Sequence, residues 1–313
     1  MQKPLVTVIC ICYNHAEYVY EALCSVRKQS YEAIQLIIAD DASTDKSILE
    51  IERFLLTYPE LNTVKVFNGE NTGNCKLFNK ALALADGKYI IDLSADDYLY
   101  ASFIEEQVKL FEAVGDNVGV VFTNVDLVNC KGELKRTQYA INEYGKSTEI
   151  VPQGDVYAEL LKRYFISPVG MMMRRSILEE LGGYDETLAY EDFDFWIRSS
   201  RYYEYRYLDR CLVAKRILPI SHSTKFLSKG NEAMFISTAR ICEKSAWLNK
   251  INNKEEDSAL LRRIRYEIKQ TIKYEVKSAF DIYILLLKNR GNTFWEIKFY
   301  KTLFHLNSYF NFL

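Results

Sequence analysis

The chain has 313 residues, 49% of them apolar and 26% charged, and a formal net charge of −2. This composition excludes a disordered or fibrous chain and supplies core for one large or two ordinary domains. The near-neutral balance hides an asymmetry: from Ser258 to Leu313, Lys and Arg outnumber Asp and Glu by ten to four. The rest of the chain is therefore acidic, which disfavours a nucleic-acid partner.

Leu5 to Cys12 is a continuous apolar run that predicts a buried strand ending at Tyr13-Asn14-His15. The preceding Met1-Gln2-Lys3-Pro4 is neither a secretion signal nor part of a spanning segment, so the expected location is cytoplasmic. Helical spacing follows from Ala16 to Lys28, and a second strand, Ile34 to Ala39, ends at Asp40-Asp41. Ser43-Thr44-Asp45 supplies capping residues for a helix over Ser47 to Thr57. A third strand, Thr63 to Phe67, leads to the turn Asn71-Thr72-Gly73-Asn74 and a helix over Leu77 to Ala85. Tyr89 to Leu93 is the next buried strand, and two adjacent carboxylates, Asp96 and Asp97, follow it. A helix from about Phe103 to Val114 and a strand over Val118 to Asn124 complete this half. Strands alternating with helices imply βαβ units and a largely parallel sheet.

Right-handed crossovers put the strand carboxyl ends on one edge, where open sheets of this kind bind ligands. That edge collects Tyr13, Asn14, Asp40, Asp41, Asp96 and Asp97. No GxGxxG follows the first strand and no GxxxxGK[ST] occurs anywhere, which argues against a dinucleotide or P-loop site. Adjacent carboxylates are costly to desolvate without a cation or donors. Oxygen ligands of this kind suit Mg²⁺ or Mn²⁺. His15 and His305 belong to no constellation. The seven cysteines are scattered, with no CxxC pair, and predict free thiols rather than disulfides or zinc.

The second half is less regular from Asn129 to Gln153, then predicts a short helix over Val156 to Tyr164. Pro168 to Met173 reads as a strand, and Ser176 to Leu181 as a helix ended by Gly182-Gly183. Asn231 to Lys250 and Asp257 to Arg290 have helical patterns nearly free of Gly and Pro. In the latter, Leu260, Ile264, Ile268 and Ile272 share one face, while Arg262, Arg263, Arg265, Lys269, Lys273 and Lys277 cluster on the other. With Phe294, Trp295, Phe299 and Phe304 beyond it, this tail suits an interfacial membrane helix. Packing of its apolar face on the catalytic domain or a second subunit is the competing reading.

Several blocks resemble the family 2 glycosyltransferases in order and spacing. They are Val6 to Asn14, Asp40 to Asp45, Asn71-Thr72-Gly73 with Asn79, Gly87 to Ile90, and Leu93 to Asp97. Leu181 to Glu186 and Glu191 to Arg198 complete the set, which covers roughly residues 4 to 225. The resemblance implies an α/β GT-A fold, a mostly parallel Rossmann-like mixed sheet flanked by helices, with a C-terminal helical extension. Its implied division is a catalytic domain over 1–225, with a nucleotide-sugar half to about 125 and an acceptor half after it, and a helical region over 226–313.

The implied activity is inverting transfer of a sugar from a nucleotide-diphosphate donor, with Mn²⁺ or Mg²⁺, in cell-surface polysaccharide synthesis. A UDP-sugar is the expected donor, and a glycan or lipid-linked molecule the acceptor, which would suit attachment at the inner face of the plasma membrane. By the resemblance, Tyr13 lines the base pocket, Asp41 binds the base, and Asp96 holds the metal with Asp97 in support. Asn14, Asn71, Gly73 and Ser94 complete the donor set, Ser94 standing where the family's D-x-D has its first Asp. Asp192 inherits the role of catalytic base. The family's third metal ligand, a His, falls on Leu218, and His222 four residues later is its candidate replacement. The alternatives are a catalytically impaired sugar-nucleotide-binding protein of the same fold, and a sugar nucleotidyltransferase, which lacks its usual glycine-rich phosphate loop here.

Overall fold

A computed structural model describes residues 3–219, 228, 230–291 and 294–310. The backbone divides into two compact units. The first comprises Met1–Val156, Ile166–Glu186 and Tyr202–Leu218, the second Tyr157–Phe165, Thr187–Arg201 and Pro219–Leu313.

The first unit is built on a nine-stranded sheet. Its strands are β1 (Val6–Cys12), β2 (Ile34–Asp40), β3 (Thr63–Phe67), β4 (Tyr89–Ser94), β5 (Tyr98–Leu99), β6 (Val118–Val128), β7 (Leu134–Thr137), β8 (Met171–Arg174) and β9 (Glu204–Arg216). The order is β3-β2-β1-β4-β8-β6-β9-β5, with β7 beside β6. β3, β2, β1 and β4 run parallel, β8 is antiparallel to both neighbours, and β6 and β9 run parallel to each other. The central strands are mostly apolar because helices cover both faces of a sheet made by crossovers. Val8, Ile9, Cys10, Ile37, Ile38, Ile90 and Ile91 are fully buried. Cys10 and Cys12 are buried free thiols, as their place in an apolar strand predicts.

A polar brace ties the starts of β1, β2 and β4. The Thr7 hydroxyl donates to Gln35 Oε1 at 2.6 Å and accepts from the Gly87 N–H at 2.9 Å. A Cβ on Gly87 would lie 2.4 Å from the Thr7 nitrogen, so the glycine of this block serves strand packing.

Three elements differ from expectation. The helix expected from Leu77 is Asn74–Leu82, starting directly after Gly73, whose φ of +89° makes the turn. Pro168–Gly170 forms a 3₁₀ turn, leaving only Met171–Arg174 as strand. The stretch from Asp257 to Arg290 is two helices, Lys254–Lys273 and Lys277–Asn289. Glu275 takes a left-handed φ of 59°, and Val276 and Glu275 donate back to Thr271 and Ile272. This is a Schellman cap made without glycine, so no composition signal marks the break.

The second unit is helical, with Tyr157–Lys162, Asp192–Ser200, Glu232–Leu248 and Phe294–Phe310 alongside those two. Leu260, Ile264, Ile268 and Ile272 are buried in it. Arg263, expected on a solvated basic face, is buried as well. Its Nε donates to the Leu161 carbonyl at 3.0 Å and its Nη1 to Glu267 Oε1 at 3.1 Å. The guanidinium also lies 4.3 Å from the Tyr164 ring centroid, so the i, i+4 acid and the aromatic ring make burial of the charge tolerable. Among the described residues no helix is long and apolar enough to cross a membrane.

Candidate active site

Two loops meet at the carboxyl ends of β1 and β2. Asn14 has φ 56°, a conformation Asn tolerates better than most residues. Its N–H donates to Ser43 Oγ at 2.9 Å, and its Oδ1 accepts from the Thr44 N–H at 2.8 Å. Asn14 therefore fastens one loop to the other. Beside it, Tyr13 stays 41% exposed, an aromatic face left outside the core. Asp40 accepts from the Ser43 N–H and hydroxyl at 2.8 and 2.6 Å.

Asp41 is buried yet well supplied with donors. Its Oδ1 accepts from the Thr72 N–H (2.9 Å), the Asn68 amide (2.8 Å) and the Thr72 hydroxyl (3.1 Å), and its Oδ2 from the Gly73 N–H (2.8 Å). Burial works to raise its pKa, but the hydrogen bonds from Thr72, Asn68 and Gly73 outweigh it and hold the carboxyl below the ordinary value. Ala42, the next residue, has φ 62°, so the chain turns sharply to aim Asp41 at the Asn71-Thr72-Gly73 turn. Asn71 itself is exposed. Asn68 escaped the sequence reading; its place directly after β3 on the same edge was the available signal.

At the end of β4, the Ser94 hydroxyl donates to Asp96 Oδ1. The same oxygen lies 4.0 Å from His15 Nδ1. Asp97 is buried and accepts from the Arg216 N–H at 2.8 Å. Burial first, and then the neighbouring Asp96 charge, push its pKa up to about 8, against the pull of Lys215 and Arg216. The Arg216 guanidinium donates to the Asp96 carbonyl at 2.6 Å and to Glu21, with the Tyr18 and Tyr98 ring centroids 4.9 and 4.7 Å away. Arg216 thus holds the Asp96-Asp97 turn from beneath. His15 and Arg216 are site-shaping residues that the spacing did not single out.

Other motif residues prove structural. The Asn79 side chain accepts from the Tyr184 N–H and donates to the Tyr184 carbonyl, both at 2.8 Å, and to Glu186 at 3.0 Å. Gly183 has φ +76°, and a Cβ there would meet Asn79 Oδ1 at 2.3 Å. The Tyr184 ring stacks on Phe78 at 4.1 Å, and its hydroxyl donates to Asp92 at 3.0 Å. Asn79 and the Gly-Gly-Tyr-Asp block therefore form one lock.

Asp192 belongs to the second unit, where it is half-buried at the first position of the helix Asp192–Ser200. Asp194, in the same first turn, is buried between Arg198 and Lys244, each 2.6 Å from it. His222 lies outside the described residues, and Leu218 is buried in the first unit. Among the described residues, no three His, Cys, Asp or Glu side chains cluster as a ready-made metal cage.

An open, mostly parallel sheet with an acidic carboxyl edge and no phosphate-cradling glycine loop defines the class, and the sequence places the chain within it. Residues 7–182 match the profile of glycosyl transferase family 2, and the chain belongs to that family. It is 27% identical over 232 residues to an uncharacterized glycosyltransferase of Rickettsia felis, a match covering 73% of this chain but only 36% of that relative. This chain therefore spans about a third of that relative's length. Among solved structures, S. aureus TarS in complex with UDP-GlcNAc aligns over 91% of this chain and 80% of its own, at TM-score 0.68 and 19% identity. The mannosyltransferase PcManGT of Pyrobaculum calidifontis, in complex with GDP-Man and Mn²⁺, aligns over 99% and 82% at TM-score 0.58 and 17% identity. These likenesses establish the α/β GT-A fold with additional C-terminal helices.

Proposed function

We propose that the chain is an inverting glycosyltransferase that moves a sugar from a nucleoside-diphosphate donor, a UDP-sugar in the first instance, to a hydroxyl of a glycan or lipid-linked acceptor in cell-surface polysaccharide synthesis. The observation that carries this reading is the shared edge of β1, β2 and β4, adjacent parallel strands whose carboxyl ends bear exposed Tyr13, Asp41 with its pKa lowered, and Asp96, in a member of family 2. In this reading residues up to about 125 bind the donor, residues from about 126 to 225 take the acceptor, and 226–313 are a helical addition.

Tyr13 offers a stacking face to the base. Asp41 Oδ2 accepts a single hydrogen bond, and a carboxylate oxygen has room for a second, from a base N–H. Asn14, Asn71 and Gly73 shape the two loops around that position. Asp192 takes the proton of the attacking hydroxyl as general base. It stands at the first position of the helix Asp192–Ser200.

The residues present fit a divalent ion held mainly by its ligand. Asp96, with Ser94 beside it and Asp97 in support, supplies oxygen donors but no closed cage, as suits an ion bound through one or two carboxylates, phosphates and water. When bound, Mn²⁺ or Mg²⁺ neutralises the charge growing on the leaving diphosphate. The S. aureus and Pyrobaculum neighbours, with UDP-GlcNAc and with GDP-Man and Mn²⁺, are in keeping with such a donor.

The test is a thermal-shift screen of nucleoside diphosphates with and without Mn²⁺. One nucleotide should stabilise the protein in a metal-dependent way, and Asp96→Ala should abolish the shift. Asp192→Asn should keep the shift and lose transfer. Stabilisation by no nucleotide, or full transfer by Asp192→Asn, would refute the mechanism. For a lipid-linked acceptor, the helix Phe294–Phe310 presents exposed Phe294, Trp295 and Phe299 beside Lys298 and Lys301. Flotation with anionic vesicles should be lost on replacing Trp295 and Phe299 with Ala; concentration-dependent self-association without flotation would reassign that face.

A further inference from the structure

His15 stands in an unusual position for a residue with no apparent motif. Its N–H donates to Ser47 Oγ at 2.9 Å, and its carbonyl accepts from the Tyr18 and Val19 N–H groups, both at 2.9 Å. The backbone is thus pinned where β1 hands over to the first helix. The ring Nδ1 is sealed from solvent and has no hydrogen-bond partner among the described residues. A buried polar atom left so costs about 1–3 kcal/mol, and such atoms in folded proteins mark an absent water, ion or ligand.

The group facing that nitrogen is Asp96 Oδ1, at 4.0 Å. This is too long for a hydrogen bond. A cation seated between the two atoms would be within bonding reach of both. Ser94 donates to the same oxygen and brings no charge of its own, so a nitrogen donor here adds what Ser94 does not. Position 15 reaches Asp96 because β1 and β4 are adjacent and parallel, with Ile11 opposite Ser94.

We infer that His15 Nδ1 and Asp96 Oδ1 together ligate the divalent ion, the imidazole replacing the carboxylate that Ser94 lacks. An imidazole nitrogen gives Mg²⁺ least, while affinity along the first-row series rises from Mn²⁺ through Co²⁺. The consequence is a metal preference: the site selects Mn²⁺, and Co²⁺ more strongly, over Mg²⁺. This inference rests on the reading of the edge as a metal–nucleotide site.

The full chain is loaded with Mn²⁺ and UDP, or GDP if UDP fails to stabilise it, and examined by electron spin-echo envelope modulation. A directly coordinated ¹⁴N should appear, and should vanish in both His15→Ala and His15→Gln with the ion still bound through Asp96. By titration calorimetry the same variants should weaken Mn²⁺ at least tenfold and change Mg²⁺ less than threefold. A circular dichroism melt confirms which variant is folded, and either alone suffices. Bound Mn²⁺ without nitrogen coupling would mean that a water fills the gap, and overturns the inference while leaving the nucleotide site intact. Coupling that survives both variants belongs to another imidazole and overturns it equally. Failure of Mn²⁺ to bind with any nucleotide would instead overturn the functional reading itself.

Discussion

Asp41→Asn separates what the fold asks of this residue from what a ligand asks. In the native chain one buried carboxylate accepts four hydrogen bonds, two of them from the backbone of Thr72 and Gly73. An amide keeps one oxygen for the three donors on the Oδ1 side, but turns its NH₂ toward the Gly73 N–H. One backbone donor is orphaned, at about 1–3 kcal/mol, and the remaining bonds lose their charge assistance. The turn is only half-buried, so water recovers part of this and the expected loss at pH 7 is about 2–4 kcal/mol. Urea unfolding at several pH values checks it, with midpoint converted to free energy at constant slope. The folded pKa of Asp41 is lowered from 3.8, so its contribution is complete above that value and is lost as pH falls toward the folded one. The gap between wild type and variant should therefore narrow below pH 3.8, by at most about 1.4 kcal/mol per unit. A gap under about 0.5 kcal/mol at pH 7, or one that does not narrow in acid, would mean that the four contacts do not hold the loop.

Gly183→Ala should destabilise by about 2–4 kcal/mol, from left-handed strain of about 1–2 kcal/mol plus eviction of Asn79. Gly182→Ala, with φ +73° and open space around it, should show the strain alone, and equal melting shifts would contradict the lock. Arg263→Met should cost about 3–5 kcal/mol by stranding Glu267 in the interior, and adding Glu267→Leu should restore most of it. Glu267 already has its pKa raised, burial outweighing Arg263; removing Arg263 raises it further, so the single variant should lose more stability at pH 8 than at pH 5. Asn14→Ala releases Thr44 and frees the loop, and should weaken nucleotide binding at least tenfold while shifting the melting temperature by only a few degrees; unchanged binding would remove Asn14 from the donor site.

What could be read from the chain and what could not divide along a physical line. β1, β2 and β4 were legible because strands buried on both faces must be apolar throughout, a local signal. Asp41 and Asp96 were legible because they end such strands. Their partners were not, since Asn68, His15 and Arg216 reach them across strand neighbours and only topology fixes which strands adjoin. Arg263 was misplaced for a related reason: helical spacing reports which residues share a face, but Glu267 and the Leu161 carbonyl decide whether that face can be buried. The break at Glu275 left no trace in composition because its cap uses backbone hydrogen bonds and a left-handed Glu.

The four carboxylates that end β2 and β4 looked equivalent as residues, and the structure makes them unequal. Asp40 is satisfied by Ser43, Asp41 by Thr72, Asn68 and Gly73, and Asp97 by the Arg216 N–H together with a pKa near 8 that lets it carry a proton. Each of these has its charge absorbed or suppressed within the fold. Among the described residues the Asp96 side chain meets a neutral hydroxyl and an imidazole nitrogen at 4.0 Å. The adjacent Asp96 and Asp97 raise each other's cost of carrying charge, and the Asp96 carboxyl oxygen is the one that faces the His15 nitrogen. In the proposed reading a cation brought by a diphosphate would sit at Asp96, and the Arg216 contacts to the Asp96 carbonyl and the Asp97 carboxyl hold the turn that carries it.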